Sequence, residues 1–114
     1  MVGCVSQMRE PTFLILTALA DQPRHGYGII QEVASLSDAR ISLLPGTLYT
    51  ALDRLSAAGH IEFDRDEVID GRVRRYYRLA PSGRQALEAQ AAHLRQLATA
   101  AETRLRRLRP NPAS

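Results

Sequence analysis

From Thr12 the chain runs through Phe13, Leu14, Ile15, Leu16, Ala18 and Leu19 with little polar interruption, then meets Asp21-Gln22-Pro23. A run of that length with that ending predicts a short helix buried on most sides, capped by Thr12. A second helix is expected from near His25-Gly26 to about Leu36. It carries Tyr27, Ile30, Val33 and Ala34 along one stripe, with Gln31, Glu32 and Ser35 toward solvent. After the polar connection Ser37 to Ser42, Pro45 sits where proline suits a first helical turn. Leu48, Ala51, Leu52 and Leu55 then recur at helical spacing as far as Ala58, which leaves Thr47, Thr50, Asp53, Arg54 and Ala57 outside. Gly59 is a fitting left-handed end for this third helix.

Beyond Gly59 the period changes to two. Ile61 and Phe63 alternate with Glu62 and Asp64, which predicts a strand with one buried face. Val73, Arg75, Tyr77 and Leu79 alternate with Arg74, Tyr76 and Arg78 as a second strand. Between them, Asp66 to Gly71 reads as a turn-forming loop. Asp70-Gly71 favours a tight bend, but lies so close to the second strand that a longer, less regular connection is expected. Pro81 opens the last element, and from Ser82 to about Arg109 there is no proline and, after Gly83, no glycine. Leu87, Ala91, Leu94, Ala98, Ala101, Leu105 and Leu108 follow one another at spacings of 4, 3, 4, 3, 4 and 3, the seam of a packed helix pair. Such a helix spans roughly 40 Å at 1.5 Å per residue, more than a domain this small covers from one side, so a partner helix is implied.

The order helix, helix, helix, hairpin, long helix gives a mainly α fold. It is a winged helix-turn-helix, three helices plus a β-hairpin wing, followed by a long C-terminal dimerisation helix. Residues 1–11 are expected to be a flexible arm, 12–80 the winged domain, 81–109 the dimerisation helix and 110–114 a disordered tail. A chain of 114 residues accommodates one core. With aromatics at 5% and no Trp, that core must be built from Leu, Ile, Val and Ala.

Composition narrows the chemistry mainly by exclusion. The lone Cys4 forms no internal bridge and fits a reducing cytoplasm. No apolar run reaches the roughly 18 residues of a membrane helix, so the expected location is cytoplasmic, without a membrane partner. Cys4, His25, His60 and His93 show no chelating spacing, so no metal and no cofactor are expected. His25 reads as a hydrogen-bond donor at a helix start or between helices. No nucleophile with its base and no phosphate loop is present, which argues against an enzyme.

All fifteen basic residues are arginine, and the net charge is +3. Arginine's rigid donor fork suits phosphates and guanine edges. On the third helix, Thr47 and Thr50 supply small hydroxyls, Tyr49 a hydroxyl on a rigid body, and Arg54 a longer fork further along, the order in which a major-groove helix meets DNA. In the hairpin Arg72, Arg74, Arg75 and Arg78 are interleaved with Tyr76 and Tyr77, a pattern suited to phosphates or the minor groove. Asp64, Asp66, Glu67 and Asp70 oppose them, and Glu62 and Asp64 are placed to pair with some of these arginines across the hairpin.

These residues also carry a family likeness. His25-Gly26-Tyr27-Gly28-Ile29, Pro45-Gly46-Thr47-Leu48-Tyr49 with Leu52, Arg54 and Leu55, Gly59 and Ile61, and Gly71-Arg72 with Arg75-Tyr76-Tyr77-Arg78-Leu79 together resemble the PadR family of bacterial transcriptional regulators, from about Thr12 to Leu108. With a single helix after the wing, the chain is similar to the short-tailed branch. The resemblance implies a homodimeric repressor of double-stranded DNA with a partly palindromic operator, Tyr49 and its neighbours approaching DNA, and wing arginines matching Arg72 and Arg75. Leu44 and Ala80 stand where the family frequently has hydroxyl residues, so two helices are expected to lack their usual caps.

Family members differ in whether a small-molecule effector releases them. The long helix here has no aromatic residue, so an effector pocket of stacking type would have to borrow Phe13, Tyr27 or Tyr77. The alternative to a repressor is a dimeric winged-helix module that binds proteins and no operator. Its binding would be nearly independent of salt, whereas DNA binding weakens steeply with it.

Overall fold

The computed structural model describes residues 8–108. The elements are α1 (Glu10–Ala20), β1 (Arg24–His25), α2 (Gly26–Leu36), α3 (Pro45–Ala57), β2 (Ile61–Ile69), β3 (Arg72–Leu79) and α4 (Pro81–Leu108). The three strands form one antiparallel sheet in the order β1-β3-β2. Ile15, Leu16, Ile29, Val33, Leu48 and Leu52, from α1, α2 and α3, are the most deeply buried side chains. The mainly α winged helix-turn-helix read from the sequence is the fold observed.

Helix α1 begins two residues before the expected cap. Arg9 is the N-cap without a side-chain hydrogen bond, and Pro11 lies in the first turn, where its missing N–H costs nothing. Thr12 is therefore inside the helix, and Glu10 and Pro11, assigned to an arm, belong to it. Met8, also assigned to that arm, packs against the core, while residues 1–7 with Cys4, Arg109 and the tail at 110–114 lie outside the described residues. At the other end of α1, Arg24 donates from Nε to the Ala18 carbonyl at 2.7 Å and pairs with Asp21 and Glu32, fastening α1 to α2.

Helix α3 stops by a Schellman arrangement. Gly59 has φ +80°, its N–H reaches the Ser56 carbonyl at 3.0 Å, and the His60 N–H reaches that of Leu55 at 2.9 Å. At its start Leu44 gives no side-chain cap, as expected. The α3–β2 turn is also the seat of α4. Ala80 N–H donates to the His60 carbonyl at 2.9 Å and Ser82 Oγ to the Gly59 carbonyl at 2.8 Å. Gly83 packs so tightly that a Cβ there would lie 2.0 Å from the His60 carbonyl oxygen.

The wing differs from expectation in two respects. The strands run on to Ile69 and Arg72, and Asp70 and Gly71 alone make the bend, with φ of 51° and 77°. Two consecutive positive φ values mark the type I′ turn favoured by Asp-Gly, so the connection is tight. Second, the face expected to be buried is covered only at its base. Leu79, Tyr77 and Ile61 pack on the core, whereas Phe63 is 50% exposed and Val73 68% exposed. An irregularity between Phe63 and Arg65 shifts the register, and the hairpin beyond it overhangs the helices.

Helix α4 packs on α1 through its first half only. Gly83 and Gln90 are buried and Leu87 lies against the core of its own chain. Exposure then rises from 41% at Leu94 to 78% at Leu108, and the helix stretches the molecule to 69 Å along its longest axis. Of the seam read from the sequence, Leu87 and Ala91 are thus at least half covered within the chain. Leu94, Ala98, Ala101, Leu105 and Leu108 are exposed, as is Leu97, which the seam did not include.

Candidate nucleic-acid interface

Because Leu48, Leu52 and Leu55 are buried, helical geometry turns Thr47, Tyr49, Thr50 and Arg54 together toward solvent. Thr50 Oγ1 donates to the Gly46 carbonyl at 3.0 Å, so its proton is committed to the helix and only the oxygen of this exposed side chain is left to accept. Arg54 stands in the last turn of α3, where the helix dipole favours a cation. No acid pairs with it among the described residues.

Tyr49 leans against the start of α2. A Cβ on Gly26 would lie 2.7 Å from the Tyr49 hydroxyl oxygen and 3.1 Å from Cζ, so this glycine is the seat of the ring. Next to Gly26, His25 is the N-cap of α2, and its Nδ1 accepts from the Gly28 N–H at 3.2 Å. The role is therefore that of an acceptor, not the donor expected from the sequence. The same residue pairs in register with Tyr76, and its ring meets the tyrosine edge-on at 5.1 Å. Tyr76 in turn carries the Arg65 guanidinium 4.2 Å above its ring. Tyr49, Gly26, His25, Tyr76 and Arg65 thus form a continuous strut from α3 into the wing. Partial burial lowers the His25 pKa from its ordinary value, as does the positive charge of Arg74, while Glu67 opposes them.

The wing arginines are not equivalent. Arg78 pairs with Glu62 at 2.7 Å and with Asp64 at 3.2 Å, as the sequence suggested. Arg65, which sequence reasoning did not single out, bonds Glu67 at 2.6 Å and also Asp64. That hydrogen bond from Arg65 is the main reason the Asp64 pKa is lowered, with Arg78 adding to it. Arg75 lies 3.8 Å from Asp66 and over the Phe63 ring. Arg74 is half-buried, and among the described residues its Nε has no hydrogen-bond partner. Arg72, beside the turn, is exposed and pairs with no acid among the described residues.

The aromatic candidates for an effector pocket are dispersed. Tyr27 is exposed on α2, while Phe13 and Tyr77 are partly covered, Tyr77 against the core. None of the three lines the cleft of about 640 Å³ where the ends of α1 and β3 meet α4. Leu19, Pro23, Leu79 and Leu87 line it, with Asp21, Arg78, Arg84 and Glu88. Among the described residues, no three His, Cys, Asp or Glu side chains gather as a metal site, and no helix is long and apolar enough to cross a membrane.

Comparison with known proteins fits this arrangement. Residues 15–89 match the model of the transcriptional regulator PadR-like family. A transcriptional regulator of Mycobacterium tuberculosis is 44% identical over 84 residues, 74% of this chain and 75% of the relative. A PadR family transcription regulator from Clostridium difficile has a crystal structure similar to this one, with TM-score 0.71 and 26% identity over 85% of this chain and 99% of that one. Bacillus subtilis PadR in complex with operator DNA is similar with TM-score 0.65 and 25% identity, covering 75% of this chain and 48% of that one. With its motifs, its fold and a family match over most of its length in agreement, the chain belongs to the PadR-like family of transcriptional regulators.

Proposed function

We propose that this protein is a repressor that binds a partly palindromic double-stranded operator as a two-fold dimer, with α3 in the major groove and the wing beside it. The observation that carries the reading is the exposed face of α3, with Thr47, Tyr49, Thr50 and Arg54 continuous with the wing through Gly26 and His25. Thr47, Thr50 and Arg54 meet bases and backbone, and Tyr49 orients the helix while offering its hydroxyl. Of the wing arginines, Arg75 contacts phosphate, Arg72 meets the duplex from the hairpin tip, and Arg74 reaches it only by leaving its half-buried position. The similar Bacillus subtilis protein, crystallised with operator DNA, supports the assignment.

The dimer is held by the exposed part of α4, Leu94, Ala98, Ala101, Leu105 and Leu108 with Leu97 beside them, because among the described residues these apolar side chains are left open to solvent. A small-molecule effector acts, in this reading, at the cleft between α1, β3 and α4, whose walls join the reading domain to the dimer helix. A duplex recovered by this protein from a random pool tests the proposal. Its affinity should fall steeply with salt, and its footprint should show two symmetric halves about one helical turn, or a multiple, apart. Absence of binding to any duplex, or salt-independent binding, would favour the protein-interaction module instead.

A further inference from the structure

His25 serves two elements with one ring. Toward α2 its Nδ1 accepts the Gly28 N–H at 3.2 Å and caps the helix. Toward the wing its backbone pairs with Tyr76, and its ring meets that tyrosine edge-on at 5.1 Å. The next residue, Gly26, seats the Tyr49 ring of α3. The pairing of β1 with β3 spans Arg24 and His25 alone, and a strand pair that short has little stability of its own. Arg24 fastens one of its two residues to α1 and α2. His25 fastens the other to the hairpin.

The capping bond exists in one protonation state only. A neutral imidazole with its proton on Nε2 accepts at Nδ1, whereas an imidazolium donates from both nitrogens and would confront the Gly28 N–H with a second donor. The partial positive charge of the α2 N-terminus opposes a cation there as well. The groups on each neighbouring element do not offset this. On the same strand, Arg24 is paired with Asp21 and Glu32. From β3 come Tyr76 and the positive charge of Arg74, whose Nε has no hydrogen-bond partner among the described residues. From β2, Glu67 favours the cation but is bonded to Arg65 at 2.6 Å, and Arg65 lies over the Tyr76 ring. α2 has no acid in its first turn and offers the exposed Tyr27, and α3 brings the Tyr49 phenol against Gly26. Burial, with Arg74 adding to it and Glu67 opposing, accordingly holds the His25 pKa below its ordinary value.

We propose that His25 is a positioning residue for operator binding and makes that binding sensitive to acid, its neutral ring holding the wing at a fixed setting against α3 and protonation releasing it. The inference rests on the DNA-binding reading above. An operator is read by α3 and the wing at one mutual setting, whereas random DNA is held through phosphates and tolerates others. Because linkage is reciprocal, a duplex that selects the fastened arrangement expels the proton, and a proton on His25 expels the duplex. The contribution of His25 is complete above about pH 6.5 and declines as pH falls toward the lowered value. Charge alone acts in the opposite direction, since each histidine that protonates strengthens attachment to a polyanion.

The test titrates the full-length protein with a duplex it selects from a random pool and with a scrambled duplex, at about pH 7.5 and about pH 5.5 and one ionic strength. Acidification should weaken operator binding roughly fivefold or more, the equivalent of one lost capping bond, while scrambled DNA is held as well or better. His25→Asn keeps a capping acceptor without a titrating ring. It loses the edge contact with Tyr76 and should bind the operator more weakly at the higher pH, but with almost the same affinity at both. His60→Gln with His93→Gln should keep the parent's acid response. Independently of any variant, the His25 ring followed by NMR should titrate at a lower pH in the operator complex than in the free protein. Operator affinity that holds or rises on acidification overturns the role of His25 and leaves the repressor reading standing. So does a His25 ring that titrates at the same or a higher pH in the complex, or a folded His25→Asn variant with the parent's acid response. Failure to bind any duplex at either pH overturns both.

Discussion

Replacing Gly83 by Ala should destabilise the protein strongly, although alanine is the better helix former. The added Cβ would sit 2.0 Å from the carbonyl oxygen of His60 and 2.9 Å from its carbon. Both are backbone atoms that no rotamer change moves aside. The first turn of α4 must therefore lift from the α3–β2 turn by about 1.5 Å, the gap to ordinary van der Waals contact. That displacement strains the bonds from Ala80 N–H to His60 at 2.9 Å and from Ser82 Oγ to Gly59 at 2.8 Å, along with the contact between Ser82 Oγ and His60 Nδ1 at 3.1 Å. Losing three hydrogen bonds at about 1 kcal/mol each costs about 3 kcal/mol. The gain in helix propensity returns about 1 kcal/mol, for a net loss near 2 kcal/mol. Gly46→Ala is the matched control, since among the described residues nothing lies within 4 Å of its new Cβ and α3 should gain about 0.5–1 kcal/mol. Urea unfolding at one fixed protein concentration, monitored by circular dichroism, measures both. A Gly83→Ala variant as stable as Gly46→Ala would mean that α4 does not seat on His60 as described.

Gly26→Ala should behave differently again, because the obstructing atom is the far end of the half-exposed Tyr49 ring, which swings out; stability should change by under about 1 kcal/mol, while operator affinity falls. In a Tyr49→Phe background the affinity loss on adding Gly26→Ala should shrink, and additive losses in duplex titrations would refute the coupling. Leu94→Asp together with Leu105→Asp should sediment as a monomer that no longer holds the operator, and a dimer of unchanged strength would remove this seam. Arg75→Ala should lower affinity for operator and random DNA alike and shallow the salt slope by about one phosphate contact, whereas Arg54→Ala, if that side chain reads guanine, should cost roughly 1–3 kcal/mol at the operator alone. For His25, the folded pKa lies below its ordinary 6.5, so its contribution to stability is complete above about pH 6.5 and is lost as pH falls through the lowered folded value, where a protonated Nδ1 no longer accepts from Gly28. His25→Asn, which keeps a capping acceptor without titrating, should flatten that part of the stability profile; an unchanged pH dependence would show that His25 is not its source.

Much of this architecture was legible in residue pattern because the helices and the base of the hairpin each obey a single period. The stripe in α3 and the Gly59 stop were read correctly, since local spacing and one left-handed glycine decide them. In α2, by contrast, the stripe was turned by a residue: Tyr27 is exposed and Ile29, left out of it, is fully buried with Val33. Pattern failed where tertiary placement decides. Phe63 and Val73 alternate as buried residues should, but the hairpin projects past the helices that would cover them. Leu87 repeats in step with Leu94 and Leu105, yet α1 covers the first and leaves the others bare. In the site, the face of α3 followed directly from helical spacing. The strut through Gly26, His25 and Tyr76 did not, because it depends on the two-residue strand β1 pairing with β3, and two residues carry no period. Arg65 was hidden for a related reason, since the register shift before it cannot be read from alternation.

The uncovered half of α4 ties the shape of the molecule to how much of it is present. From Arg95 to Leu108 the helix has almost no support from the other described residues, and its length is near the roughly 12–15 residues below which isolated helices are marginal in water. A newly made copy meeting no other should therefore fray at that end and expose Leu105 and Leu108 to proteases, whereas in the proposed dimer a second copy would complete the helix and hide them. Survival of the chain and readiness to occupy DNA would then rise together with its abundance, so that the response to the amount of regulator is steeper than simple proportion.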